Sequence, residues 1–253
     1  MPGIRAQALA GLPEVRPGDD LAGLIASAAD GDAGTLRDGT VVAIAHKVVS
    51  KSEAALVALA DVSPGARALE LAADTGKDPR HVQVILDESV ELVRAERGVL
   101  ICRTRHGFVC ANAGVDTSNV PYSDTLVVLP RDPDASARSL RARLRELTGL
   151  QLGVLITDSF GRAWRHGQLD VALGLAGVAP LDDWRGREDS QGLVLVATWL
   201  AVADAAAAAA DLAREKDSRE PVVLVEGLER YVSEDDGPGA AALLRAREED
   251  LFL

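Results

Sequence analysis

One polar segment directly follows an apolar run and carries groups suited to phosphate chemistry. Residues 152–157 predict a buried strand that stops at Asp158, whose carboxylate is flanked by the hydroxyls of Thr157 and Ser159. Open sheets usually bind ligands at strand ends, and an Asp in this setting commonly holds Mg²⁺ or Mn²⁺. Arg162 and Arg165 follow, and guanidinium groups beside a metal suit phosphoryl transfer, so both are catalytic candidates with Asp158. The alternative is a surface loop.

A second polar cluster spans residues 110–121, which contain two Asn, one Asp, one Thr and one Ser. Asp116 is a candidate oxygen ligand for a hard divalent ion, and Asn119 is a candidate hydrogen-bonding partner for a ligand. Gly, Asp and Asn also occur in turns for purely backbone reasons. From the residues alone, a binding site and a turn are equally good interpretations.

A third cluster, residues 46–51, follows the apolar run at 41–45. Its two lysines, Lys47 and Lys51, are able to hold phosphates as point charges. The alternative is a solvated strand end. The glycine-rich loops that commonly bind phosphates, and the His spacing of a zinc helix, are both missing from the sequence.

The elements that must position these clusters alternate along the chain, which favours an α/β or mixed α+β fold. Apolar periodicity, caps and turn residues predict the following elements: helices at 21–29, 63–71, 136–147 and 197–215, and strands at 41–45, within 90–113, at 152–157 and at 221–225.

Composition excludes several classes of function. The net charge is −12 and aromatic residues make up only 3 % of the chain, which argues against a nucleic-acid binder. No apolar run reaches the ~20 residues that a membrane span needs, and the N-terminus lacks the plan of a signal peptide. Cys102 and Cys110 flank a predicted hairpin turn and are interpreted as reduced thiols. We therefore expect a cytoplasmic protein that binds neither membranes nor nucleic acid.

At these clusters the sequence resembles the coenzyme F420-0:L-glutamate ligase family, the γ-glutamyl ligases that extend the tail of a deazaflavin cofactor. The blocks that carry the resemblance run along nearly the whole chain: GLPEVRPGDDL at 11–21, KVVSK at 47–51, HGFVCANAGVDTSNV at 106–120, TDSFGRAWRHGQLDVALGLAG at 157–177 and RGREDSQG at 185–192.

The resemblance implies an enzyme that uses GTP, two divalent ions (Mg²⁺ or Mn²⁺) and, as a further ion, K⁺. It implies that the γ-phosphate activates the carboxylate of coenzyme F420-0 as an acyl phosphate, that L-glutamate attacks it, and that further glutamate is added by γ linkage. It also implies an uncommon mixed-sheet α/β fold and an intimate homodimer. Residues 1–253 would form a single ligase unit, of one domain or two interleaved subdomains, without the C-terminal flavin-reductase-like domain of some relatives.

The resemblance also assigns roles residue by residue. Asp116 and Asp158 resemble ligands of the first metal, and Ser159 resembles a ligand of the second. The expected GTP contacts are Leu12, Pro13, Glu14, Val15, His46, Lys51 and Asn119.

Two positions depart from the family pattern. His46 stands where Ser or Thr is usual, and residues 214–219 are charged and lack the usual Gly. His166 and Asp170 are candidates for the base that accepts the proton of the glutamate amine. Two other functions stay open: a metal-dependent GTP phosphohydrolase on the same scaffold, and a non-catalytic nucleotide-binding subunit.

Overall fold

The computed structural model of the protein describes residues 3–30, 35–117, 124–215 and 217–250. Helices and strands are mixed throughout, and the sheets combine parallel and antiparallel pairs, so the predicted mixed α/β class is confirmed. The elements in chain order are β1 (Arg5–Ala8), α1 (Leu21–Ala29), β2 (Val41–Ala45), α2 (His46–Ser52), β3 (Leu56–Ala58), α3 (Ala66–Thr75), α4 (Pro79–Asp87), β4 (Ser89–Glu96), β5 (Val99–Thr104), β6 (Val109–Ala111), β7 (Thr125–Val127), α5 (Pro133–Thr148), β8 (Gly153–Arg162), β9 (Arg165–Ala176), β10 (Leu181–Asp183), β11 (Trp199–Ala201), α6 (Val202–Asp211) and β12 (Val222–Glu226).

A five-stranded sheet in the order β1-β12-β2-β8-β9 forms the centre of the molecule. Among the described strands of this sheet, only β2 and β8 are parallel, with Ala45 opposite Thr157 at their carboxyl ends. β2 and the first half of β8, residues 153–157, are buried on both faces, which explains their nearly continuous apolar sequence. Because side chains alternate along a strand, Val42 and Ile44 join the core beneath α1 and α5, whereas Val41 and Ala43 join the core beneath α6.

A second core lies between residues 59 and 128. There α3 and α4 pack against the antiparallel sheet β4-β5-β6, and Leu71, Ile85 and Leu100 are buried. Cys102 and Cys110 are opposite each other on β5 and β6, and both are buried free thiols. Burial raises the pKa of Cys110 to about 12, so this thiol stays protonated at neutral pH. The hairpin predicted around these cysteines is confirmed.

Most predicted elements are present, but several boundaries were wrong. The helix expected from residue 63 begins at Ala66, with Gly65 as its N-cap. The helix expected over 197–215 is only Val202–Asp211, because Trp199–Ala201 pairs with β10 as a strand. The described helices include none that is long and apolar enough to cross a membrane.

The third correction concerns the polar segment after the central strand. β8 does not stop at Asp158 but continues to Arg162, because its backbone pairs with β9 in a long hairpin. Likewise residues 46–52 are not a strand end: they form α2, which starts directly where β2 ends. Two of the three clusters are therefore held by regular secondary structure instead of loops.

Candidate active site

A cleft of about 750 Å³ opens at the carboxyl ends of the parallel strands β2 and β8. Open sheets favour this position for ligands, because it is where strand ends and the following segments meet. The sequence clusters at 46–51 and 157–159 both contribute to its walls. Its lining consists of Leu12, Pro13, Glu14, Val15, Ala45, His46, Lys47, Val48, Lys51, Thr157, Asp158, Ser159, Asp170, Asp211, Arg214, Glu215, Asp217, Arg219, Glu220 and Pro221.

Asp158 is a cleft carboxylate whose acidity is strongly perturbed. Burial raises its pKa to about 7, and the like charges of Asp170 and Asp116 act in the same direction. The backbone N–H of Ser159 and the ammonium of Lys47 oppose this rise without cancelling it. A carboxylate held in this way gains most from a nearby cation.

His46 is the first residue of α2 and lies 3.5 Å from Asp158, measured from Nε2 to Oδ1. It is 1 % exposed. Burial lowers its pKa to about 3, with help from the charge of Lys47, so the imidazole is neutral at physiological pH. Its Nδ1 lies 3.4 Å from Ser50 Oγ, on the next turn of the same helix. A neutral imidazole offers Asp158 no charge compensation.

Two lysines of α2 connect the cleft to other segments. Lys51 is buried, and its Nζ donates to Glu14 Oε1 at 2.5 Å, which ties α2 to the N-terminal segment 12–15. Lys47 Nζ lies 2.6 Å from Asp116 Oδ2. This contact brings the second sequence cluster to the edge of the cleft, since Asp116 also acts on the pKa of Asp158.

Asp170 lies opposite Ser159 in the β8–β9 register and is fully buried. Its carboxylate accepts three hydrogen bonds: from Ser159 Oγ at 2.8 Å, from Thr157 Oγ1 at 2.7 Å, and from the guanidinium of Arg214. Neither solvent nor a substrate amine reaches such a group, so the candidate role of Asp170 as a base does not fit. His166, the other candidate base, is exposed on the hairpin.

The charged segment after α6 forms one wall of the cleft. Arg214, Glu215, Asp217, Arg219 and Glu220 all line it. The missing Gly therefore does not remove this segment from the site, and its charged side chains face the same space as the predicted nucleotide contacts.

Other predicted residues lie elsewhere. Arg162 and Arg165 are exposed near the end of the β8–β9 hairpin and outside the cleft lining as the described residues form it. Arg162 Nη2 donates to the carbonyl of His166 at 2.7 Å. The catalytic role of the two arginines therefore stays a prediction. Asn119 lies outside the described residues.

The donors in the cleft fit small hard cations. Asp116, Asp158 and Ser159 offer only oxygen, which Mg²⁺ and Mn²⁺ prefer. Across the part of the chain that the structure describes, no group of three or more His, Cys, Asp and Glu side chains forms a complete metal cage. Mg²⁺ is typically bound by one or two carboxylates together with substrate phosphates, so two carboxylates and a hydroxyl are a sufficient protein contribution.

Sequence reasoning assigned no role to Arg214 and gave Asp170 the wrong one. The available signal was the placement of Asp170 on a strand of otherwise apolar residues, 169–176. An acid in such a strand needs a buried partner. Nothing in the sequence identified that partner as an arginine 44 positions later.

Comparisons of the sequence with known proteins identify one enzyme family. The profile of the family described as F420-0:Gamma-glutamyl ligase matches residues 11–227. The chain is 46% identical to the coenzyme F420:L-glutamate ligase of Methanopyrus kandleri, over 100% of this chain and 98% of the relative. It is 44% identical to the enzyme of the same name from Methanothermobacter thermautotrophicus, over 99% of both chains. A third coenzyme F420:L-glutamate ligase, from Haloarcula marismortui, is 41% identical over 96% of this chain and 93% of its own.

The family match and these relatives show that the protein is a ligase, an enzyme that forms amide bonds. Within that class, the chain belongs to the F420-0:gamma-glutamyl ligase family.

Proposed function

We propose that this protein joins L-glutamate to coenzyme F420-0 in coenzyme F420 biosynthesis, with GTP as the energy source, and adds further glutamate by γ linkage. One observation carries the proposal. One cleft at the ends of β2 and β8 collects residues 12–15, His46, Lys51, Asp158 and Ser159, which the family resemblance had assigned to nucleotide and metal from separate parts of the sequence.

The protein's own charges suggest how a nucleotide would lie. Lys51, whose ammonium is held by Glu14, and Arg219 both line the cleft. These cations suit a polyphosphate, while Asp116 and Asp158 would hold a first divalent ion and Ser159 a second. The divalent ions, when bound, would neutralise the charge that spreads over the transferred phosphate.

The reaction needs two steps. A carboxylate oxygen of the acceptor forms a bond to the γ-phosphorus while the bond to the β–γ bridging oxygen breaks, and GDP leaves with that electron pair. The glutamate amine, having lost a proton, then attacks the acyl carbon. The carbon–oxygen bond to phosphate breaks, phosphate leaves with that electron pair, and the nitrogen gives up a second proton to solvent, which leaves the amide and inorganic phosphate.

An acyl phosphate must be protected from water. We propose that an intimate homodimer of single ligase units, each formed by residues 1–253, helps to cover the cleft. K⁺ as a further ion and a cytoplasmic location belong to the same proposal. The guanidinium groups of Arg162 and Arg165 are proposed to act on the transferred phosphate.

The deciding assay measures GDP release from GTP in the presence of Mg²⁺ or Mn²⁺. We expect release only when both L-glutamate and coenzyme F420-0 are present, and mass spectrometry should show one or more glutamate increments on the product. Release without either substrate would indicate a phosphohydrolase. No release under any condition would indicate a non-catalytic nucleotide-binding subunit.

A further inference from the structure

We propose that Asp170 and Arg214 form a positioning pair that fixes the hydroxyl of Ser159 for cation binding and anchors the charged wall of the cleft. This role depends on the cation that the proposed function assigns to Ser159. The pair touches neither reacting atoms nor, by itself, the cation, and it acts through Ser159 and Thr157.

The hydrogen bond of Ser159 fixes what its oxygen is able to offer. Ser159 and Asp170 are directly opposite each other on β8 and β9, and Ser159 Oγ donates to Asp170 Oδ1 at 2.8 Å. A hydroxyl has one proton and two acceptor lone pairs. With its proton committed to Asp170, Ser159 presents acceptor capacity to the cleft, which is what a hard cation requires.

Arg214 makes the burial of Asp170 possible. A fully buried carboxylate is costly unless a charged partner and further hydrogen bonds compensate it. The guanidinium donates to Asp170 and, at 3.1 Å, to Thr157 Oγ1, while Thr157 Oγ1 itself donates to Asp170. The resulting triangle is closed within the protein, so it holds the carboxylate in one orientation.

The same guanidinium also contacts the residue that precedes β12. Arg214 Nη1 donates to the carbonyl of Pro221 at 3.1 Å, just before β12. One side chain therefore joins β8, β9 and the residue that precedes β12. The wall that faces the predicted nucleotide contacts is tied to the strand that carries Ser159.

The chain contains a matched control for this pair. Arg141 is also buried and pairs with Asp236, with 2.7 Å between Nη1 and Oδ1. Both residues lie outside the cleft lining as the described residues form it. Breaking the control pair removes a buried arginine's partner without touching Ser159.

The test is a double-mutant cycle on Mn²⁺ binding by the full chain with GDP present, with the unbound ion followed by electron paramagnetic resonance. We expect Ser159→Ala to weaken the binding of one Mn²⁺ while its affinity stays measurable, because the GDP phosphates remain as ligands. Asp170→Asn should weaken the same ion by about 10- to 100-fold, the usual effect of losing a group that orients a metal ligand. In the Ser159→Ala background, Asp170→Asn should cause no further loss, because its effect passes through Ser159. Asp236→Asn should lower thermal stability and leave Mn²⁺ affinity within about twofold.

Equal losses from Asp170→Asn in both backgrounds, or unchanged Mn²⁺ binding, would overturn the proposal. If Asp170→Asn does not fold, Arg214→Lys replaces it. This variant keeps a cation beside Asp170 but loses the forked contact to Thr157 and Pro221, and we expect a several-fold loss of Mn²⁺ affinity that again disappears with Ser159→Ala; an unchanged affinity contradicts the proposal. Failure of the proposed function is recognised separately, because the wild-type protein would then show no GDP release that depends on L-glutamate and coenzyme F420-0.

Discussion

The cleft contains two carboxylates on the β8–β9 hairpin, Asp170 and the half-buried Asp158, and they are held in opposite ways. Asp170 accepts hydrogen bonds from two hydroxyls and a guanidinium, and it is fully buried. Asp158 has a neutral imidazole 3.5 Å away and keeps a side chain that is 20% exposed. Burial raises its pKa to about 7. The protein itself compensates the charge of Asp170, whereas the charge of Asp158 is left to be compensated by a ligand.

The largest effect should come from removing the carboxylate of Asp158. We expect Asp158→Asn to lower the rate of glutamate addition by at least about a hundredfold, because a metal ligand is lost while the shape is retained. The rate of product formation by mass spectrometry measures it.

A matched control for this substitution is Asp204→Asn. Asp204 is another carboxylate whose pKa is raised by burial, and it accepts from the backbone N–H of Ala172 away from the cleft. Near-normal glutamate addition by Asp158→Asn would contradict the metal role of Asp158. An equal loss in Asp204→Asn would show that replacing any carboxylate with a raised pKa has the same effect.

The next effect concerns Lys51, on the same helix as His46. Its buried ammonium is held by Glu14, and we expect Lys51→Met to raise the KM for GTP by about 10- to 100-fold, since a charged hydrogen bond is worth about 1.5–3 kcal/mol. Steady-state kinetics with varied GTP would measure this change. The control is Lys77→Met, because Lys77 lies outside the cleft lining that the described residues form. If Lys51→Met and Lys77→Met have the same KM for GTP, Lys51 is not part of the nucleotide site.

A smaller effect is expected at the end of the hairpin. Both Arg162 and Arg165 are exposed. Arg162→Ala and Arg165→Ala should therefore change the free energy of unfolding by no more than about 0.5 kcal/mol, which is the usual range for surface substitutions. If the guanidinium groups act on the transferred phosphate, each variant should lose about tenfold in kcat/KM. Unchanged kcat/KM would show that the hairpin end is only a surface.

The smallest predicted change is in the pH dependence of stability without added metal. Asp158 has a folded-state pKa of about 7 against 3.8 in the unfolded chain, so its contribution to stability falls as pH rises through that interval. His46 has a folded-state pKa of about 3 against 6.5, so its contribution is lost as pH falls through that interval. The two slopes oppose each other between 3.8 and 6.5.

Single variants should therefore reveal the slope of the remaining group. At about pH 8, with chelator present, Asp158→Asn should be more stable than the wild type, by about 2–4 °C for each kcal/mol regained. His46→Ser should lose stability from about pH 4 to about pH 7 as Asp158 ionises. Thermal unfolding followed by circular dichroism measures both, and parallel curves for all three proteins would contradict the assigned pKa shifts.

Sequence reasoning predicted the central strands and several helices because their patterns are local. The apolar runs of β2 and β12, and the acidic cap of α1 at Asp20, are readable within a few residues. It failed at β8 and at α6, where pairing with another strand decided the boundary. Polar residues 157–162 look like a loop until β9 supplies their backbone hydrogen bonds.

For this protein, the sequence by itself determined the family, the oxygen-rich chemistry of Asp116, Asp158 and Ser159, and the order of the core elements. Only the tertiary structure decided which carboxylate is compensated. The reason is physical: the pKa and hydrogen bonding of a buried acid depend on partners such as Arg214, which reach it across the chain.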